Sequence, residues 1–249
     1  MTGTYRIADR IIRISTRFTR VHRRCAAYRT DDIPADISVE ITQSDIERER
    51  ACSVEAHGQE DFNTGEYLDS ALEELAVYRK IAERMTSFDT ILMHGSCIAV
   101  DGEGYLFTAK SGTGKSTHTR LWREMLGEKA IMVNDDKPLI RISEDRATIY
   151  GTPWDGKHHL STNCAVPLKA ICILERAGQN TIRRVSKAEA YSTMLQQIYR
   201  PPDSAVMMKT VTLIERLLGV VDLWRLGCNM DPEAAEIAYQ AMRGSTRRS

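Results

Sequence analysis

Residues 109–117 read Ala109-Lys110-Ser111-Gly112-Thr113-Gly114-Lys115-Ser116-Thr117. The run follows the phosphate-binding pattern of a small residue, four variable residues and then Gly-Lys-Ser/Thr. An apolar run at 104–108 leads into it and a helical pattern follows, which is the strand–loop–helix context of such loops. The stretch therefore predicts an α/β fold in which loop N–H groups and a helix N-terminus hold a nucleotide phosphate.

Each residue type in this loop has an expected task. Lys115 supplies a cation for the outer phosphates, and Ser116 supplies a hydroxyl for Mg²⁺. Gly112 and Gly114 let the backbone approach the phosphates closely. We therefore expect ATP and Mg²⁺ as cofactors, with the nucleotide held by Ser111, Gly112, Thr113, Gly114, Lys115, Ser116 and Thr117.

Composition narrows the remaining classes of function. The 249 residues carry no net charge, so nothing drives the whole chain toward nucleic acid or a membrane surface. The six cysteines form no Cys-x-x-Cys pair, which argues against a zinc site and a disulfide framework. No apolar run is long enough for a membrane helix. We expect a cytoplasmic protein without nucleic-acid or membrane partners.

The N-terminal segment is rich in arginine between Arg6 and Arg29. Residues 5–14 alternate as a half-buried strand does, which favours arginines on a solvated strand face. A targeting segment or a nucleic-acid-binding arm is the alternative interpretation. The acidic stretch at 31–74 is expected to offset these charges across a folded interface.

The periodicity of the chain predicts two parts. Residues 1–88 form an N-terminal α+β segment with strands at 5–14 and 36–41, a polar stretch at 56–65 and a helix at 66–86. Residues 89–249 form an α/β core. Its predicted strands lie at 90–100, 104–109, 130–133, 139–143, 147–151, 169–175 and 221–227. Its predicted helices lie at 115–126, 187–198, 205–218 and 232–243, with Asp231 as the N-cap of the last helix.

A tight turn at 101–104 predicts a hairpin that brings His94 opposite residue 109 or 111, beside the loop. The loop strand and the strand at 130–133 are joined by a helix, so a parallel crossover is expected. Asp135 and Asp136 then emerge at a strand end next to the loop, where ligands bind in such sheets. One carboxylate is expected to hold Mg²⁺ and the other to accept a proton from an attacking hydroxyl.

The stretch at 151–159 is a weaker candidate for a loop over the γ-phosphate. Lys157 would stabilise transferred charge there, with Trp154 beside it. A structural turn is the alternative. His158 and His159 are not expected to bind a metal together, since adjacent residues on a strand point apart.

The order of His94-Gly95, a hairpin, the 111–116 loop and Asp135-Asp136 resembles the HPr kinase/phosphorylase and phosphoenolpyruvate carboxykinase group. Asn-Asp-Asp-Lys-Pro-Leu at 134–139 and Gly-Thr-Pro-Trp at 151–154 also look like small bacterial HPr-kinase-related proteins. The resemblance implies a mixed sheet with flanking helices and a homo-oligomer. It implies that Lys115 contacts the β- and γ-phosphates, that Ser116 and Asp136 serve Mg²⁺, that Asp135 is the catalytic base and that His94 assists.

Three functions follow from these expectations. The favoured one is a kinase that transfers the γ-phosphate of ATP to a hydroxyl, with serine the expected group, on a peptide, protein or small molecule. The second is an ATP-binding regulatory module without transfer chemistry. The third is a phosphoenolpyruvate carboxykinase-like lyase. The HPr kinase arginine- and glycine-rich signature of the reverse, phosphorolytic reaction is not found in the sequence.

Overall fold

The computed structural model describes residues 1–57 and 68–244. It divides the chain into two compact units, Met1–Met85 and Thr86–Ser249. The sequence places the division after residue 88. Most of the predicted polar stretch at 56–65 lies outside the described residues.

The first unit is a three-stranded sheet with helices. The strands β1 (Thr2–Ile7), β2 (Arg10–Ser15) and β3 (Ile37–Glu40) lie in that order, with β1 antiparallel and β3 parallel to β2. The helices are α1 (Arg20–Arg24), α2 (Gln43–His57) and α3 (Asp69–Met85). The predicted single strand at 5–14 is wrong. Ala8 and Asp9 adopt positive φ angles of 49° and 59° and reverse the chain into a hairpin.

Acidic side chains of the first unit pair with several of its arginines. Arg20 and Arg24 both pair with Glu74 of α3, and Arg13 pairs with Asp32. On either side of Arg13, Ile12 and Ile14 of β2 are fully buried. From Ile12 to Ser15 the strand therefore alternates between buried and less buried residues, as the sequence predicted, although Ile11 is buried as well.

The second unit is built on a nine-stranded mixed sheet. Its strands are β4 (Thr90–Leu92), β5 (Ser96–Val100), β6 (Glu103–Thr108), β7 (Ala130–Asn134), β8 (Leu139–Ile142), β9 (Ala147–Tyr150), β10 (Ala165–Arg176), β11 (Thr181–Arg184) and β12 (Asp222–Cys228). The order is β4-β8-β9-β10-β6-β5-β7, and β12 pairs with β10 and β11. The long β10 runs antiparallel to β9 at its start and parallel to β6 and β12 further on.

Helices cover both faces of this sheet. They are α4 (Lys115–Leu126), α5 (Lys187–Gln197), α6 (Ser204–Val220) and α7 (Glu233–Arg243). Neighbouring residues of a strand point to opposite faces, so β5 contributes Cys97 and Ala99 to one core and Ile98 and Val100 to the other. The first core includes residues of α5 and α6, and the second includes residues of α4 and α7. The second unit is therefore a mixed α/β fold with helical layers on both faces.

Three sequence expectations for the second unit need correction. The predicted strand at 90–100 is interrupted between β4 and β5. The strands β6 and β7 are parallel, as the crossover predicts, but they are not neighbours, because β5 lies between them and pairs antiparallel with both. Helix α7 begins one residue later than predicted, and Asp231 does not cap it.

No helix within the described ranges is both long and apolar enough to span a bilayer.

Candidate functional site

The loop between β6 and α4 depends on two glycines with positive φ. Gly112 has φ +77° and Gly114 has φ +121°, and a Cβ built on either would meet no atom within 4 Å. Backbone conformation, rather than lack of space, is therefore what requires glycine there. Lys115 begins α4, so the loop leads directly into the N-terminus of a helix.

The position of β5 explains how His94 reaches this loop. Ser96 of β5 pairs with Phe107 of β6, and Cys97 pairs with Asn134 of β7. The start of β5 therefore lies between the ends of β6 and β7. The Thr108 hydroxyl donates a 2.9 Å hydrogen bond to the His94 carbonyl, which ties the histidine to the start of the loop.

Asn134 shapes the turn that carries the two aspartates. Its buried side-chain Oδ1 accepts hydrogen bonds from the N–H groups of Asp136 (2.9 Å) and Lys137 (2.7 Å). Its Nδ2 donates to the carbonyl and the hydroxyl of Thr152, both at 3.1 Å. The whole amide is thus used to join the end of β7 to the start of the 151–158 segment.

One cavity of about 410 Å³ collects most of the predicted site residues. Its walls come from the β6–α4 loop, the end of β7, the start of β5 and the segment after β9. The lining residues are His94, Ser111, Gly112, Gly114, Lys115, Ser116, Thr117, Asp135, Asp136, Gly156, Lys157 and His158. We call it the charged cavity. Thr113 and Trp154 do not line it, and Trp154 is buried.

His94 is held as a neutral ring between an amide and a carboxylate. Its Nδ1 lies 3.1 Å from Gln197 Oε1, and its Nε2 lies 3.5 Å from Asp136 Oδ1. Burial, then the nearby Lys137 and Lys115, lowers the pKa of His94 to about 4, with Asp136 opposing. With Gln197 presenting its oxygen, Nδ1 carries the proton and Nε2 keeps a lone pair toward the cavity wall.

The two aspartates occupy different environments. Asp135 is buried and accepts a 2.6 Å hydrogen bond from the hydroxyl of Ser96. Burial raises the pKa of Asp135, and the hydroxyls of Ser96 and Ser116 oppose the rise. Asp136 is less enclosed, with 30% of its side chain exposed, and it contacts Lys137 Nζ at 3.0 Å.

Lys115 is buried at the floor of the charged cavity. Its Nζ donates a 3.1 Å hydrogen bond to the carbonyl of Ala109 in its own loop. Burial lowers the pKa of Lys115, while Asp136 and Asp135 counteract this effect. The lysine therefore faces both aspartates without being committed to a short ion pair with either.

The oxygen donors near Ser116 fit a magnesium ion bound together with phosphates. Within residues 1–57 and 68–244, no group of three or more His, Cys, Asp or Glu side chains could hold a metal by itself. Mg²⁺ at nucleotide sites uses one or two protein oxygens, with phosphate oxygens and waters completing the octahedron. The Ser116 hydroxyl and the Asp135 carboxylate supply such a pair.

Sequence reasoning missed several residues that organise the site. Gln197 comes from α5, far along the chain, and Asn134 and Ser96 act through hydrogen bonds that only the packed strands create. His158 lines the charged cavity as part of the 151–159 stretch, which the sequence predicts as a candidate γ-phosphate loop without a separate role for this histidine. Only Asn134, directly before two aspartates at a strand end, carried a usable signal, because Asn often hydrogen-bonds N–H groups just ahead of it.

The comparison with protein families decides where the chain belongs. The model of the family described as "SynChlorMet cassette protein ScmC" matches residues 69–209, more than half of the chain. The chain belongs to the ScmC family. The range matched by the ScmC model contains every residue that lines the charged cavity, together with Gln197.

Other comparisons add little to the ScmC assignment. No curated protein matches the sequence. One solved structure that matches is the Hpr(Ser) kinase/phosphatase from Coxiella burnetii. The match covers 49% of this chain and 93% of the Coxiella chain, with 14% sequence identity and a TM-score of 0.27. Values this low support neither a shared fold nor a shared activity.

Proposed function

We propose that this protein is an ATP- and Mg²⁺-dependent kinase that transfers the γ-phosphate to a hydroxyl group, expected to be a serine, of a peptide, protein or small molecule. The observation that carries the proposal is the charged cavity. There the glycine loop, Lys115 and Ser116 face His94 and the two aspartates across one space. Phosphoryl transfer needs this combination of phosphate-positioning groups and a carboxylate base.

The hydrogen bonds favour a division of labour between the aspartates that differs from the one expected from the sequence. Asp135 and Ser116 line the same cavity, and the Ser116 hydroxyl lowers the pKa of Asp135, so these two oxygens are placed to hold Mg²⁺ together. Asp136 lies beside His94 Nε2 and is more exposed, so it is placed to meet the acceptor hydroxyl. We therefore assign Asp136 as the base and Asp135 as the metal ligand. Bound Mg²⁺ would neutralise charge on the β- and γ-phosphates.

The transfer step is a displacement at the γ-phosphorus. The acceptor oxygen forms the new P–O bond, the bond from the γ-phosphorus to the β,γ-bridging oxygen breaks, and ADP leaves. Asp136 takes the hydroxyl proton, and the unprotonated Nε2 of neutral His94 is placed to accept a hydrogen bond from the Asp136 carboxyl once that group holds the proton. Lys115 stabilises charge on the phosphoryl oxygens, and Lys157 and His158 line the same cavity for that purpose.

Transfer of labelled γ-phosphate from Mg·ATP to a degenerate peptide library with a fixed central serine tests the proposal. The same library with alanine is the control, and free serine is a small-molecule probe. Incorporation that depends on serine supports the kinase. Tight ATP binding with no transfer to the peptides or to serine would contradict the assignment of serine as acceptor and favour the regulatory module.

Paired variants test the division between the aspartates. Asp136→Asn should lower transfer by about 10³-fold with little change in Mg·ATP affinity, as expected for loss of a base. Asp135→Asn should weaken the dependence of ATP binding on Mg²⁺. Asp101→Asn, an exposed change in the β5–β6 turn, is the control and should alter neither quantity. The reverse pattern would return the base to Asp135.

A further inference from the structure

A second cavity of about 490 Å³ lies on the other side of the β6–α4 loop. Gly112, Gly114 and Thr117 line both cavities, so the loop is their common wall. A ligand whose phosphates rest on this loop therefore has a second space within reach. We call this space the apolar cavity.

The chemistry of the apolar cavity differs from that of the charged cavity. Leu121, Ala177, Cys228 and Met230 contribute apolar or weakly polar surface, and no carboxylate lines it. Among the described residues that line it, Arg176 is the one with a permanent charge, and its Nη2 donates a 2.5 Å hydrogen bond to the Gly112 carbonyl. A flat ring with a few polar edges suits such walls better than a phosphate does.

His118 lines this cavity and carries an unused donor. The Trp122 indole N–H donates to its Nε2 at 3.1 Å, so that nitrogen must be unprotonated and the proton of the neutral ring sits on Nδ1. The side chain is 2% exposed, and within the described residues nothing bonds to Nδ1. A buried N–H without an acceptor is unfavourable, and a ring nitrogen or oxygen of a ligand would satisfy it.

We propose that the apolar cavity binds the nucleobase and ribose of the nucleotide whose phosphates occupy the charged cavity. This inference rests on the proposed function, since it needs a nucleotide on the loop. The base packs between Leu121 and the Ala177, Cys228 and Met230 surface, and one of its acceptor atoms takes the Nδ1 proton of His118. The polyphosphate crosses the loop toward Lys115.

Titration calorimetry of the full chain, with Mg·ATP and with magnesium inorganic triphosphate as separate probes, tests this placement. Triphosphate reaches only the phosphate loop, whereas ATP reaches both cavities. Cys228→Phe fills the apolar cavity, Met230→Ala removes one wall, and His118→Gln keeps an acceptor for Trp122 but removes the Nδ1 donor. Met208→Ala on α6 is the matched control, since both methionines are strongly exposed, at 77% for Met230 and 68% for Met208.

We expect the wild type to bind ATP about tenfold or more tighter than triphosphate. Cys228→Phe and His118→Gln should weaken ATP binding by about tenfold, and Met230→Ala by about threefold. Triphosphate affinity should stay within about twofold of wild type in all of them, and Met208→Ala should change neither ligand. Because Met230 is largely exposed, its variant keeps the test valid if a buried substitution disturbs folding.

Two outcomes would overturn the inference in different ways. Wild-type ATP affinity in Met230→Ala and in a folded Cys228→Phe shows that the base lies elsewhere and leaves the proposed kinase intact. The inference also fails, and the proposed kinase also stands, if Cys228→Phe lowers transfer to the peptide library without weakening ATP binding. In that case the acceptor, rather than the base, occupies the apolar cavity. If the wild type binds neither probe, the proposed function itself fails.

Discussion

Burial, more than neighbouring charge, sets the protonation of the histidines in both cavities. His94 and His118 each have a pKa lowered to about 4, with desolvation as the largest cause. His94 differs because Gln197 and Asp136 flank its two nitrogens, whereas His118 is fixed by Trp122 alone. Both rings are therefore neutral at physiological pH, and each has a defined tautomer.

The pH dependence of phosphoryl transfer should reflect the neutral state of His94. Its pKa of about 4 means that the ring gains a proton only well below neutrality, so it should produce no acidic limb near its ordinary value of about 6.5. Transfer rates of wild type and His94→Asn should have the same pH profile between about pH 5.5 and 7.5, with the variant about tenfold slower. An acidic limb near 6.5 that disappears in His94→Asn would contradict this prediction.

Gln197 should matter for transfer through its hydrogen bond to His94. Gln197→Leu removes the acceptor for Nδ1, so the ring can rotate and exchange tautomers. We expect transfer to fall by about tenfold with unchanged Mg·ATP affinity. Nitrogen NMR of His94 should change from one tautomer to a mixture.

The control for Gln197 is its neighbour on α5. Gln196 is exposed, so Gln196→Leu makes the same chemical change away from His94. An equal loss of transfer in both variants, with the His94 tautomer unaltered, would show a general effect on α5 instead.

Strand order, at the scale of the elements, decides which residues meet. The insertion of β5 between β6 and β7 brings His94, two residues before the start of β5, to the ends of both neighbours. The loop after β6 and the turn after β7 then complete the charged cavity. The loop in turn needs backbone angles that residues with side chains rarely adopt.

Gly114→Ala should therefore weaken phosphate binding through the backbone. A Cβ at Gly114 meets nothing within 4 Å, yet its φ of +121° is strongly unfavourable for alanine. Strain of about 1–3 kcal/mol would shift the loop and lower triphosphate affinity by about tenfold or more. Gly178→Ala is the control, because that position is equally open and its φ is not positive. Calorimetry that finds equal triphosphate affinity in both variants would rule out the strain argument.

The whole second unit has a built-in sensitivity to acid. A histidine whose folded pKa lies below its unfolded value binds more protons when unfolded, so stability falls as pH drops through that interval. His118 and His94 both have this sign. All three tryptophans, Trp122, Trp154 and Trp224, are buried in this unit, so their fluorescence reports its unfolding.

Protonation of His118 should account for a measurable part of the stability that the second unit loses in acid. Between about pH 6.5 and pH 4 the free energy of unfolding should decrease by about 2–3 kcal/mol from this residue. Denaturant titrations at the two pH values, followed by tryptophan fluorescence, measure this free energy. In His118→Gln its decrease with falling pH should be smaller than in the wild type by that amount. His158→Gln, a change at an exposed histidine, should retain the wild-type decrease. Identical pH dependence in all three proteins would mean that His118 does not resist protonation in the folded state.

Local sequence patterns were enough to predict much of the secondary structure. The glycine loop, the tight turn at 101–104 and the apolar periods placed β6, α4, β7 and the later helices close to their observed bounds. The hairpin at Ala8 and Asp9 was missed because Ala8 is not a typical turn residue and Asp9 is not next to a glycine, so the apolar alternation on both sides hid the turn. Helix α2 was missed because its many charged residues show little apolar periodicity.

The sequence by itself determined the residue types of the candidate site and their order, because a loop, a hairpin and strand ends are set by nearby residues. Tertiary structure alone decided that β5 separates β6 from β7, that Gln197 reaches His94, and that Ser96 bonds Asp135 rather than Asp136. It also alone created the apolar cavity, whose walls come from α4 and the ends of β10 and β12. These contacts join residues far apart in the chain, and strand order and packing, which no local pattern encodes, bring them together.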